Sequence, residues 1–203
     1  MSALGTLLAL AALGGEPRFV PGEVIVAFKR DTEPGGITSA LAKGEAAAQG
    51  RLDAYVATLS SRLGIPLKTK RVGSGGDVLM EVDRRELSSR LISQLRLDSR
   101  VVGAAPAEVG EEVRVQFGPG SREAREVAKA PVGKPEREVA LPEITRSLAK
   151  DLGLALTSRI TPKREFLVAV DARALTLSLV ERLRALPEVE YTQPNFLVHK
   201  LGP

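Results

Sequence analysis

The chain has 203 residues and no cysteine, no tryptophan and one histidine. The missing thiols exclude a disulfide framework, a thiolate metal site and a cysteine nucleophile. One imidazole cannot build a multi-histidine metal centre. Aromatic residues make up 3% of the chain, so its cores must be aliphatic. Charge of one sign is also lacking: 29 Lys and Arg are interspersed with 25 Asp and Glu, a net charge of +4. Scattered charge of this kind reads as a solvated surface rather than a nucleic-acid footprint. Long hydrophobic runs are absent too. The uncharged opening "MSALGTLLALAALGG" holds an apolar run, Leu4 to Leu13, too short to span a bilayer. It has the length of a signal-peptide core, with small residues at Ala9 to Ala12 for cleavage but no basic residues before it. Residues 1–18 are read as a signal peptide or an apolar extension, which makes the protein secreted or periplasmic, with the cytoplasm as the alternative.

What is present is ordinary globular composition, 43% apolar and 27% charged, and an internal repeat. "GEVIVAF" at 22–28 aligns with "EEVRVQF" at 111–117, and "LSSRLGIPL" at 59–67 with "LAKDLGLAL" at 148–156. "LSSRLISQLR" at 87–96 aligns with "LTLSLVERLR" at 175–184, and "VVGAAPAEV" at 101–109 with "VEYTQPNFL" at 189–197. The order is collinear, so a unit of about ninety residues occurs twice. The copies are taken as domains at 19–109 and 110–203.

Each copy reads β-α-β-β-α-β. Val24, Val26 and Phe28 alternate in the first strand, as Val113, Val115 and Phe117 do in its twin. Leu52, Tyr55, Val56, Leu59 and Leu63 recur at helical spacing, as do Leu141, Ile144, Leu148 and Leu152. Gly64 and Gly153 stop those helices. Strands follow at 67–72 and 156–160, turns at "GSGG" and "TPKR", and strands at 78–82 and 166–170. Asp83 and Asp171 stand where helix caps are wanted. The second helices carry Leu87, Leu91, Ile92 and Leu95, or Leu175, Leu179, Val180 and Leu183, and last strands begin near Val101 and Val189. This order predicts an α+β protein of two tandem ferredoxin-like domains, each an antiparallel sheet with helices on one face. The Gly-, Pro- and charge-rich stretches at 29–50 and 118–140 read as mobile surface loops. The link between copies, around Val109 to Glu111, is so short that the copies must be closely coupled.

The fold class hosts many functions. RNA binding is disfavoured, because "DVLMEVD" and "EFLVAVD" lack the aromatics that stack bases. "GSGGD" at 73–77 reads as a hairpin turn rather than an anion cradle. No nucleophile elbow or phosphate loop occurs, and His199, the fifth residue from the end of the sequence, is a poor general base. The chain is therefore read as no enzyme, needing no cofactor or metal.

"ALPEVEYTQPNFLVHKL", following a helix of the "LVERLR" type, resembles the C-terminal end of propeptides of subtilisin-like serine proteases. "VPGEVIVAFK" resembles their first strand. The resemblance spans roughly residues 19 to 201 and is stronger in the second copy. It implies a ferredoxin-like fold and a role as folding chaperone and tight inhibitor of a subtilisin-like protease, the protein being a monomer when free. It further implies that a sheet face docks on two helices of the protease, and that the tail lies as an extra strand in the substrate cleft. Tyr191 matches the family's strand aromatic, and Gln193, Pro194 and Asn195 its polar turn. Asn195 would cap a helix through its amide oxygen, while Gln193 replaces the usual acid. Val198 would take an outer hydrophobic pocket, His199 would face solvent, Lys200 would approach the catalytic groups and Leu201 would fill the primary pocket. Gly202 and Pro203 would lie past the scissile bond. In the first copy Gly103, Ala105 and Ala107 stand in the matching places, and Val109 runs on into the next strand, so that copy is expected to be structural or to bind elsewhere. No Asp-Thr/Ser-Gly, His-Gly-Thr or Gly-Thr-Ser-Met segment of a catalytic domain occurs. The chain is thus either a stand-alone inhibitor or chaperone, or the pro-region of something larger. The alternative reading is a ferredoxin-like scaffold or ligand-sensing module without a protease partner.

Overall fold

The computed structural model describes residues 18–108, 111–130 and 142–197. Among these the protein is α+β, with two four-stranded antiparallel sheets and six α-helices. The strands are β1 (Phe19–Phe28), β2 (Leu67–Val72), β3 (Val78–Val82), β4 (Val101–Pro106), β5 (Val113–Phe117), β6 (Leu156–Ile160), β7 (Phe166–Val170) and β8 (Val189–Phe196). The helices are α1 (Glu33–Ala42), α2 (Gln49–Leu63), α3 (Arg84–Leu95), α4 (Arg122–Lys129), α5 (Pro142–Leu152) and α6 (Ala172–Arg184).

The punctuation expected from sequence is in place. Asp83 accepts from the Glu86 N–H at 3.2 Å and Asp171 from the Ala174 N–H at 2.9 Å, capping α3 and α6. Gly64 and Gly153 both adopt φ of +65°, the left-handed turn that ends α2 and α5. The loop reading of 29–50 is corrected. Thr32 caps α1 by accepting from the Gly35 N–H, Pro34 sits in the first turn where no donor is needed, and Ile37 is buried. The second copy carries α4 in the matching place, capped by Ser121. Leu141, expected in the α5 stripe, lies outside the described residues.

The strand order departs from two self-contained copies. One sheet runs β2-β3-β1-β8 and the other β4-β5-β7-β6. The last strand of each copy has left its own sheet and completes the other's. The repeat boundary near residue 109 divides the sequence, but the compact units divide the chain otherwise. Unit 1 gathers residues through Leu59, Leu67–Glu81 and Thr176 onward, and unit 2 gathers Ser60–Pro66 and Val82–Leu175. Thus α3 and β4 of the first copy belong to unit 2, and α6 from Thr176 onward with β8 of the second to unit 1.

The short link explains the exchange. β4 and β5 are joined by residues 107–112 and pair as a hairpin, Pro106 opposite Val113 and Ala104 opposite Val115. The Ala107 N–H donates to the Glu112 carbonyl at 2.9 Å. A local hairpin closes a small loop, whereas returning β4 to β1 would close a much longer one. With β4 beside β5, β8 finds that edge taken and pairs with the free edge of β1, Gln193 opposite Ile25 and Tyr191 opposite Ala27.

The two units join the copies at matching positions. In unit 1 the Gly22 N–H donates to Thr176 Oγ1 at 2.6 Å, the Lys29 N–H to the Glu188 carbonyl at 3.0 Å, and the Tyr55 hydroxyl to Glu188 Oε1 at 2.9 Å. In unit 2 the matching bonds run from Ser88 Oγ to the Glu111 carbonyl at 3.1 Å and from the Gly118 N–H to the Arg100 carbonyl at 3.0 Å. The Arg100 guanidinium reaches Ser147 at 2.6 Å and Asp151 at 2.7 Å. In unit 1 Val24, Val26, Leu52, Val56, Val78 and Met80 of the first copy are buried, and so are Leu179, Val180 and Leu183 of the second. The unit 2 core joins Leu91, Ile92 and Leu95 of α3 to Val113, Val115, Leu148, Phe166 and Val168.

Thr176 is fully buried, so Thr176→Val, which removes the acceptor for the Gly22 N–H, is expected to destabilise the protein by about 1–3 kcal/mol in urea denaturation. The hydrogen bond from the Arg100 guanidinium, aided by its backbone N–H and its charge and opposed by burial, holds the Asp98 carboxyl below the usual carboxylate range. A depressed carboxyl stabilises above its unfolded value and loses that contribution as pH falls through its folded one. Urea midpoints are expected to decline below about pH 4, and Asp98→Asn to flatten that decline.

Candidate functional site

β8 is the edge strand of the unit 1 sheet. Thr192 and Pro194 are buried on its inner side, while Tyr191, Gln193 and Asn195 alternate with them on the outer side. All three residues singled out by the resemblance therefore share one face. Their neighbours come from the first copy. Gln193 faces Ile25, which in turn faces Leu79 of β3, and Tyr191 faces Ala27. Ile25, Ala27, Gln193 and Asn195 are half-buried, and Leu79 is buried.

A charged cluster closes one end of this face. Glu23 and Glu81 lie opposite each other on β1 and β3, an unfavourable pairing of like charges. Lys70 offsets it, with Nζ 2.5 Å from Glu23 and 3.4 Å from Glu81. The hydrogen bond to Glu23 and that carboxylate's charge, then those of Glu81, push the Lys70 ammonium above its ordinary value. The second Glu23 oxygen accepts from Asn195 Nδ2 at 2.6 Å. Because the amide donates to Glu23, the Asn195 oxygen is the atom with acceptor capacity.

Tyr191 marks the other end, where a cleft of about 620 Å³ is lined by Ala27, Arg30, Thr38, Asp77, Glu190 and Tyr191 among others. Tyr191 remains 46% exposed. Burial of the remainder, then the nearby carboxylates of Asp77 and Glu190, push its phenol above the ordinary value. "GSGGD" forms the β2–β3 turn, where the Gly73 N–H donates to the Asp77 carbonyl at 2.7 Å and Gly76 takes φ of +84°.

Past Tyr191, Gln193 and Asn195 the strand ends against the start of β1. The Phe196 and Phe19 rings meet edge to face at 6.4 Å, and the Leu197 N–H donates to the Arg18 carbonyl at 2.9 Å. Val198, His199, Lys200 and Leu201 lie outside the described residues.

The equivalent face of unit 2 has different chemistry. Gly103 and Ala105 of β4 stand opposite Gln116 and Arg114 of β5. Arg114 pairs with Glu165 at 3.0 Å, and Arg159 grips Glu112 with two bonds of 2.6 Å. It carries no counterpart of Tyr191, Gln193 or Asn195.

The resemblance placed Gln193, Pro194 and Asn195 in a turn, but the strand runs on through them to Phe196, and Glu23, Ile25, Ala27 and Lys70, which the exchange brings beside them, were not singled out from sequence. The only signal for that grouping was the short link between copies. No protein-family model matches the chain, and no curated protein or solved structure matches it. Among the described residues no helix is long and apolar enough to cross a membrane, and no cluster of His, Asp and Glu could hold a metal ion.

Proposed function

We propose that the chain is an inhibitor and folding chaperone of a subtilisin-like serine protease, acting without catalysis of its own and as a monomer when free. In this reading each unit is a ferredoxin-like fold completed by the helix and strand of the other copy. Residues 1–18 direct export, so that inhibitor and protease meet outside the cytoplasm.

The observation that carries the reading is β8. It is an edge strand, its outer row consists of Tyr191, Gln193 and Asn195, and in sequence residues 198–203 follow one residue after its end. A helix N-terminus presents N–H groups without partners and a partial positive charge, which amide oxygens satisfy. Docked so, the chain continues as an extended segment into the cleft, with Val198 in an outer pocket, His199 toward solvent, Lys200 near the catalytic groups and Leu201 in the primary pocket.

Titration against a panel of subtilisin-like proteases tests this. The expected result is active-site-competitive inhibition of at least one of them at nanomolar concentration. Micromolar or absent inhibition across the panel refutes it. The cleft beside Tyr191 favours the second reading, a ligand-sensing module without a protease partner.

A further inference from the structure

The exchange decides which residues lie beside Tyr191 and Gln193. Were the second copy closed on itself, its last strand would take the place that β4 holds beside β5. Gln193 would then stand opposite Arg114, as Ala105 does, and Tyr191 opposite Gln116, as Gly103 does. On β1 they stand instead opposite Ile25 and Ala27. We infer that the face that meets the protease is built by both copies, with Ile25 of the first copy at its centre. This rests on the inhibitor reading above and goes beyond the expectation that only the second copy binds.

Three observations carry it. The first is charge. A surface that presents helix N-termini is locally positive, and an arginine at the centre of the opposing face would repel it and compete for the amide oxygens. Ile25 is neutral, and with Leu79 and Ala27 it forms an apolar floor beside the acceptors of Gln193 and Asn195. The second is the state of the other face, where Arg114 and Arg159 are already paired with Glu165 and Glu112. The third is reach. Six extended residues span at most about 20 Å, and in sequence residues 198–203 follow Leu197, whose N–H donates to the Arg18 carbonyl at the end of β8. A partner that holds the tail in its cleft must therefore lie within that distance of the end of β8, the strand that carries Tyr191, Gln193 and Asn195.

The test uses the full chain and whichever protease of the panel it inhibits. Ile25→Arg is expected to raise the inhibition constant about tenfold or more with the tail intact, and Ala27→Arg to do the same from the next cross-strand pair. Arg114→Ala is expected to change it less than about twofold. Thermal melts separate lost docking from lost fold, and two variants guard against either one failing to fold. Inhibition at the unmodified level by folded Ile25→Arg and Ala27→Arg proteins overturns the composite face, whatever Arg114→Ala does. Failure of the unmodified chain to inhibit any protease overturns the inhibitor reading itself, a separate result.

Discussion

A chain ending after Leu175 is expected to lose the fold of unit 1 and keep that of unit 2. The truncated protein would still contain the whole first copy, so two self-contained copies predict the opposite. Unit 1 draws Leu179, Val180 and Leu183 of α6 and Val189 of β8 from beyond the cut, and all four are buried. At about 1.5–3 kcal/mol for each buried aliphatic side chain, their loss removes roughly 6–12 kcal/mol, comparable to the whole stability of a domain. It also uncovers the β1 edge. Hydrogen exchange reads the result. Amides of Val24 to Val26 and Val78 to Met80 are expected to lose protection, and those of Val113 to Val115 and Phe166 to Val168 to keep it. Protection retained in β1 and β3 would mean that the first copy can close its own sheet.

Leu201→Asp is expected to abolish inhibition without lowering the melting temperature. The resemblance puts Leu201 in the primary specificity pocket, and a carboxylate forced into an apolar pocket costs several kcal/mol. A loss of about 4 kcal/mol is a thousandfold weaker inhibitor. Position 201 follows the end of the last described strand, Phe196, by five residues in sequence, so the substitution is expected to leave the melting temperature unchanged. Deletion of residues 198–203 is expected to match it, whereas His199→Ala, at a position that the resemblance turns toward solvent, should change inhibition less than about twofold. Inhibition constants and melts of the three proteins decide this, and unchanged inhibition after the deletion would contradict substrate-like binding.

Much of the secondary structure was legible because it is local. The alternation of Val24, Val26 and Phe28, the helical stripe of Leu52, Val56 and Leu59, and the caps at Asp83 and Asp171 each depend on neighbours within a few residues. The helix α1 was not, because "EPGGITSALA" has weak periodicity and two glycines in its first turns. Its burial of Ile37 and the Thr32 cap outweigh that propensity. The exchange was hidden for a different reason. Two copies of one pattern offer each last strand two equivalent partners, and alternation along β8 is the same beside β1 or β5. Only the brevity of residues 107–112 distinguishes them. The candidate face was therefore half visible. Tyr191, Gln193 and Asn195 were singled out by the resemblance alone, whereas Ile25, Ala27 and the Glu23–Lys70 pair depend on which sheet β8 joins.

That choice of sheet underlies the whole account, and the absence of cysteine makes it directly measurable. Directly paired residues of antiparallel strands have Cα atoms about 4.5–5.5 Å apart, within disulfide reach. A chain carrying Ile25→Cys and Gln193→Cys is expected to form an intrachain disulfide on mild oxidation, while one carrying Arg114→Cys and Gln193→Cys stays reduced. A disulfide from the second pair and none from the first would show each copy closed on itself and would contradict the exchanged, composite face.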